Sequence, residues 1–427
     1  MEILYDVAII GGGPAGTTAA ILLAQNGRKV LLLEREKFPR FHIGESLLPY
    51  SLTALDRLGI RHELDAQAFQ KFGGEVATSC GNRIVKFYFK SGFRIEHPST
   101  YQVERAQFDL SLLNRARHVG ADVHEETPVA EVSLHPDGVS LKTTAGHTFS
   151  ARYLIDASGR NTLLGSQLQL KKNYPHLKKF SCYAHYSHVQ REDGIDATLT
   201  RLVQAGRHWF WLIPLDAHRT SIGLVMDLAD FQARKQSPDA VLDWAINDSD
   251  LMRQRIGQNT RVTPVHSAGD YSYRNSRLTG DRWILTGDAA GFIDPIFSTG
   301  VFLAIHSGEK AADILEEILQ NPQRQPSLFR QYERDLNSLM DKYLRFVTAW
   351  YRPEFIEVFT TPTQHFQLAA AVNSFLAGNT QPSFALWWRM ELFYLVVFLQ
   401  RFFPLCPRIT PKTSPAKANL TPLPTPH

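Results

Sequence analysis

Apolar residues run together in two short blocks near the start of the chain, Val7–Ile10 within YDVAII and Val30–Leu33 after Lys29. Continuous runs of this length, rich in branched side chains, predict parallel strands buried on both faces. Between them, Gly11-Gly12-Gly13-Pro14-Ala15-Gly16 predicts a tight turn, and TTAAILLAQNG predicts a helix that stops at Gly27. Short strand patterns follow over 75–103 and 121–155. Alternation over 180–226 predicts an antiparallel sheet in which Trp209, Trp211 and Ile213 share one face. A buried strand returns at 283–287, Ile305–Leu319 carries helical spacing, and from 327 onward the pattern is helical and aromatic. The closing stretch, PRITPKTSPAKANLTPLPTPH, is Pro/Thr-rich and predicts disorder. No internal repeat interrupts this order, and strands alternating with helices predict an α/β fold.

Composition narrows the function classes. The 427 residues allow two or three domains, and 44% hydrophobic with 21% charged residues fits a soluble globular chain. A formal charge of +4 without a basic block argues against nucleic acid as a partner. Cys80, Cys182 and Cys406 are few and far apart, so neither a disulfide framework nor a metal site is expected, and a cytoplasmic location fits. The 16 histidines show no ligand spacing. MEILYDVAII lacks the positive start of a signal peptide. In 383–405, Arg389, Glu391 and Arg401 leave Leu392–Gln400 as the longest uncharged run, far short of the ~20 residues a spanning helix needs. No transmembrane segment is expected there; a buried or pocket-capping helix is the preferred reading over a membrane-surface one.

The glycines at 11, 13 and 16 follow a strand and open a helix, the context in which they give a tight turn, close approach of backbone to pyrophosphate, and helix–strand packing. Glu34 lies 18 residues beyond Gly16 at the end of the second strand, where a carboxylate accepts hydrogen bonds from a ribose. This pattern alone does not separate NAD from FAD. Arg105 in YQVERAQFDLSLL, Asp156 in YLIDASGR and Gly287-Asp288 in RWILTGDAAGFIDP resemble, in order and spacing, the flavin-contacting segments of the aromatic-hydroxylase-like flavoprotein fold. The resemblance implies FAD, with Asp288 on the ribityl chain. It extends the cofactor set to Ala15, Arg40, Ile43, Gly44, Ser46 and Gly300.

Three further stretches separate the activities built on that fold. FHIGESLLP at 41–49 resembles the segment after the second strand in flavin-dependent halogenases and in some related reductases. Trp209-Phe210-Trp211-Leu212-Ile213-Pro214 matches the WxWxIP pattern of flavin-dependent halogenases at every fixed position, and QKFGGEV resembles their active-site lysine segment. The resemblance covers roughly residues 1–360. It implies an enzyme using reduced FAD, oxygen and chloride or bromide to form hypohalous acid, which passes Trp209 and Trp211 to reach Lys71. Burial of that lysine would favour its neutral form. Backbone amides near Thr299 and Gly300 in DPIFSTG would hold the halide. Phe297 stands where tryptophan-specific members have glutamate, which implies the branch acting on phenols or pyrroles, often on a carrier protein. A separate NAD(P)H-dependent flavin reductase is implied, because no second nucleotide fold is visible. On this reading 1–325 is the halogenase core, with FAD-binding segments 1–50, 100–160 and 280–320 and a substrate-side sheet over about 70–100 and 175–270. Residues 326–405 form a helical cap and 406–427 a disordered tail. A monooxygenase or geranylgeranyl-reductase-like enzyme of the same fold is the alternative.

Overall fold

In the computed structural model, which describes residues 5–258, 260–361, 365–381 and 383–409, the first strand, β1 (Tyr5–Ile10), lies at the heart of the larger sheet. Its neighbours are parallel: β2 (Val30–Leu33) on one side and the strand Thr148–Asp156 on the other. Asp122–His124 extends the sheet beyond β2, and Trp283–Leu285 extends it beyond Thr148–Asp156. The chain therefore leaves β1 in one direction and returns on the opposite side. That reversal opens a crevice at the carboxyl ends of the strands, where ligands of such sheets bind. Ile10 lies level with both Leu33 and Asp156, so Gly11, Glu34 and Ala157 emerge together at its rim.

The helix α1 (Pro14–Gln25) is buried along almost its whole length, as its uninterrupted small and aliphatic residues require. It packs against the long helix Thr299–Gln320 at close range. A Cβ on Gly308 would stand 2.4 Å from the Ala15 carbonyl oxygen, so only glycine permits this crossing.

The second sheet has seven strands, in the order His266–Gly269, Lys179–Ser187, Arg219–Asp227, His208–Pro214, Thr200–Ala205, Gly73–Thr78 and Ile84–Tyr88. It is antiparallel except where Thr200–Ala205 meets Gly73–Thr78, a parallel pair between strands from separate passes of the chain. Alternation along His208–Pro214 divides the interior. Trp209, Trp211 and Ile213 join the core shared with the first sheet, while Phe210 and Leu212 join a second core with Cys182, Met226 and Met252.

The helices Thr299–Gln320, Gln325–Trp350, Pro353–Phe359, Leu368–Leu376 and Phe384–Gln400 complete the molecule. Gln325–Trp350 buries one stripe, including Tyr332, Leu336, Leu339, Tyr343, Phe346 and Trp350, at the three-to-four-residue spacing of a single helical face. Phe346 meets Phe297, Phe355, Phe375 and Phe393, with ring centroids 4.8–6.3 Å apart. Rings fully buried in this way stabilise by roughly 1.5–3 kcal/mol each. The chain past the last helix is tied to buried Glu357: Ile409 N donates to Oε1 at 2.9 Å, and Arg408 pairs with Oε2 at 3.2 Å. The rest of the expected tail, 410–427, lies outside the described residues. Among the described residues no helix is long and apolar enough to cross a membrane, and none group as a metal site.

Candidate active site

A cavity of about 420 Å³ opens between the two sheets along the carboxyl ends of β1 and β2. Gly11, Gly13, Ala15, Glu34, Arg40, Ile43, Gly44, Ser46, Arg105, Asp288 and Gly300 line it, as does Trp211. Gly16, Lys71, Trp209 and Thr299 do not.

The glycines divide their work. Gly11 has φ +105°, and a Cβ there would meet the Ala157 carbonyl oxygen at 2.3 Å; a Cβ on Gly16 would meet the Gly11 carbonyl oxygen at 2.0 Å. Both allow backbone to pack on backbone. A Cβ on Gly13 would find nothing nearer than Arg40 Nη2 at 3.7 Å, so this position faces open space with a cation beyond it. No side chain caps the start of α1. Uncapped amides at a helix start, an open glycine and a guanidinium together fit a pyrophosphate. Glu34 accepts hydrogen bonds from Gly12 N at 2.6 Å and Glu36 N at 2.8 Å. These fix the carboxylate and leave it lone pairs for ribose hydroxyls. Arg105 is buried and bound at both ends to Asp109, with Nη1 donating to the Ile43 carbonyl oxygen at 2.6 Å. That contact clamps the FHIGES turn onto the cavity. Burial pushes the Asp288 carboxyl up to about 6, against the pull of Arg160 and Arg105.

Gly44, at φ +104°, turns the chain so that Ser46 faces the second sheet. Ser46 and Thr200 line the cavity and stand 3.1 Å apart through their hydroxyl oxygens. Lys71 lies behind them. Its Nζ donates to Ser46 Oγ at 2.8 Å and to the Leu47 carbonyl oxygen at 3.0 Å, and sits 5.3 Å from the centre of the Phe89 ring. The strand Phe69–Lys71, paired with Thr100–Gln102, carries it there. Burial lowers its amine to about 7, because a charged group loses more on leaving water than a neutral one.

Trp211 is the indole at the cavity wall, its Nε1 donating to Ser221 Oγ at 3.2 Å. Trp209 packs beside it at 6.0 Å but points deeper. Its Nε1 donates to Tyr351 Oη at 3.1 Å, and Tyr351 Oη donates to Asp294 Oδ2 at 2.8 Å. The aromatic strand is thereby fastened to the DPIFSTG segment. Burial pushes the Asp294 carboxyl up to about 6.

Within DPIFSTG, Ser298 takes φ +58°, and the helix begins at Thr299 rather than near Ile305. The amides considered for halide thus belong to the first turn of the helix, which no side chain caps. Gly300 faces the cavity, whereas Thr299 is buried away from it. Phe297 turns from the cavity into the helical core, edge-on to Phe346 and Trp350 at 4.8 and 5.4 Å. Several contributors carried no local signal. Glu45 and His185 form a buried pair at 2.7 Å, and Glu45, Arg160 and Thr200 line the cavity. The sequence distance between Glu45 and His185, and between Trp209 and Tyr351, hides both pairings. Two of them lie within motifs, Glu45 inside the GES turn and Arg160 at the end of YLIDASGR.

Residues 4–347 match the family model described as FAD binding domain. The chain is 30% identical to the 1H-pyrrole-2-carbonyl-[peptidyl-carrier protein] chlorinase of Pseudomonas fluorescens, over 82% of this chain and 84% of that protein. It is 34% identical to the corresponding brominase of Pseudoalteromonas luteoviolacea, over 74% and 78%. Among solved structures, the flavin-dependent brominase Bmp2 superposes with a TM-score of 0.83 at 28% identity, covering 93% of this chain and 99% of that one.

Proposed function

This chain belongs to the flavin-dependent halogenases, and from that membership we propose that it halogenates a pyrrole or phenol ring presented as a carrier-protein thioester. The observation that carries the reading is the hydrogen bond from buried Lys71 to Ser46. It places an amine one polar contact behind the wall of the FAD cavity. Reduced FAD, when bound, supplies the electrons with which oxygen oxidises chloride or bromide. Gly11, Gly13 and Arg40 would hold the pyrophosphate, Glu34 the ribose, and Asp288 the ribityl chain. The amide of Gly300 offers a donor to the halide at the cavity side of its helix. Trp211 and its neighbours keep water from the oxidant. An amine lowered to about 7 is present in both forms near neutrality. As ammonium, Lys71 donates a hydrogen bond to hypohalous acid; as free amine, it takes the halogen as the O–X bond breaks, and its own proton leaves with the hydroxide as water. Either form holds an electrophile against an electron-rich ring, which loses its proton as the carbon–halogen bond forms. Phe297 leaves no carboxylate at its position, which fits a ring that needs no further activation. The pyrrolyl substrates named for two relatives support the carrier-bound pyrrole first. A separate NAD(P)H-dependent reductase in the cytoplasm would deliver the reduced flavin.

The test supplies the enzyme with a flavin reductase, NADH, oxygen and bromide or chloride. Product mass is then read for pyrrole-2-carbonyl carrier protein, free pyrrole-2-carboxylate and simple phenols. Halide-dependent halogenation of the carrier-bound pyrrole is the expected result. An oxygenated product, or conversion of free acid alone, would overturn it.

A further inference from the structure

One acid on the cavity wall keeps an oxygen without a partner. Glu45 lines the FAD cavity and is 1% exposed. Its Oε1 pairs with His185 Nε2 at 2.7 Å, while Oε2 is buried and has no hydrogen-bond partner among the described residues. The turn is fixed, since Val103 N donates to the Glu45 carbonyl oxygen at 2.8 Å. Arg105 feels the charge of Glu45, yet its guanidinium is occupied by Asp109 and the Ile43 carbonyl oxygen. A buried carboxylate oxygen is seldom left unpaired, and one beside a ligand cavity points to a partner that arrives with the ligand.

His185 lies one ring below the surface. Phe41 packs over it with centroids 6.0 Å apart, is itself 42% exposed, and stacks on half-buried His266 at 4.0 Å. The pair therefore spans from the cavity wall to the solvent side of the FHIGES turn.

The stoichiometry of halogenation gives such a pair work. Reduced flavin, oxygen and halide balance to oxidised flavin, hypohalous acid and one water only when one proton is added. Release of peroxide from reduced flavin and oxygen needs no added proton. The later steps, at Lys71 and at the ring, leave the proton count unchanged. A proton available at the cavity wall thus decides between halogenation and peroxide.

We propose that Glu45 holds this proton for the reacting oxygen and that His185 replaces it from solvent; the proposal rests on the halogenase reading. Oxygen receives two electrons from the flavin and two from the halide. As the O–O bond breaks, the halide takes one oxygen with its hydrogen. The other oxygen keeps the bond's electron pair, gains the Glu45 proton and a flavin hydrogen, and departs as water. Other groups on the wall are worse placed. Glu34 is fixed on two backbone amides, Glu36 is exposed, and Asp288 is assigned to the ribityl chain. Burial lowers the His42 imidazole to about 3 and raises the phenols of Tyr183 and Tyr271, so all three stay neutral.

Two variants of the full-length, FAD-loaded protein test it, with pyrrole-2-carbonyl carrier protein and bromide. Glu45→Gln keeps the side chain's shape and removes its acidic proton. His185→Gln keeps a donor for Oε1 and removes the relay. Both should retain FAD and oxidise reduced flavin at near wild-type rate. Product per flavin oxidised should fall roughly 100-fold in the first and about tenfold in the second, with peroxide making up the difference. In D2O the wild type should shift from product toward peroxide, and Glu45→Gln should not respond. Without turnover, the reduced protein held free of oxygen should carry a protonated-carboxyl infrared band that moves in D2O and is missing from Glu45→Gln. Undiminished product in both variants, or an infrared spectrum that Glu45→Gln leaves unchanged, would overturn the proposal. A wild type that yields peroxide alone would instead remove the halogenase reading, and this proposal with it.

Discussion

Gly13 and Gly16 share one turn but answer to different neighbours. A side chain at 16 would collide with the turn's own backbone, whereas one at 13 would project into the cavity. Gly13→Val should therefore fold with a near-normal melting temperature yet purify colourless and fail to retain FAD. Gly16→Ala should lose about 2 kcal/mol or more in stability before any question of cofactor arises. Absorbance at the flavin bands beside thermal melts separates the two, and a yellow Gly13→Val protein would remove this turn from the cofactor site. Lys71 invites a titration. Its native amine is lowered to about 7 from an ordinary value of 10.5, so between these pH values the unfolded state binds more protons than the folded one. Stability from this group then rises with pH across that window. The penalty for burying the charge is complete below pH 7 and absent above 10.5. Lys71→Met should be more stable than wild type by roughly 2–5 kcal/mol at pH 6, with the gap closing toward pH 10. It should also yield no halogenated product. A pH-independent gap in chemical denaturation would show that the amine is not desolvated.

At the scale of elements, the helix Thr299–Gln320 begins one residue after a left-handed serine and leaves its first amides uncapped. Proline is tolerated in a first helical turn but removes the amide hydrogen. Gly300→Pro should keep its helix and its flavin while halogenation falls below detection and oxygen is released as peroxide. Undiminished product with unchanged bromide dependence would sink the assignment of that amide. The same helix shows what a sequence discloses and what it hides. Glycines, the buried strands and the alternation of His208–Pro214 were readable because each depends on near neighbours. The helical spacing becomes legible only near Ile305, because Ser298 sets the true start through a backbone conformation unusual for serine. The direction of Phe297 was hidden too, because Phe346 and Trp350 some 50 residues on decide it. Of the two tryptophans, spacing shows that they share a face. Only Tyr351 and the depth of the core show that Trp211 alone reaches the cavity.

For the whole molecule, the cavity lies between two sheets that otherwise meet through side chains, so a cofactor bound there would act as a shared filling. FAD at about a hundred times its dissociation constant should stabilise the fold by about 2.7 kcal/mol, read as a higher melting temperature that falls on flavin removal. Identical melts with and without FAD would place the cofactor elsewhere. The composition of that filling's wall bears on how long each enzyme molecule survives. Hypohalous acid consumes thiols and thioethers fastest. Among the described residues neither cysteine nor methionine lines the cavity, and Cys182, Met226 and Met252 lie across the sheet in the second core. The indole of Trp211 and the phenols of Tyr183 and Tyr271 are the electron-rich rings left facing the chemistry. Ageing under turnover should therefore begin as oxygen or halogen added to Trp211, Tyr183 or Tyr271, with the sulfur atoms intact, and the number of cycles an enzyme completes is set by these rings.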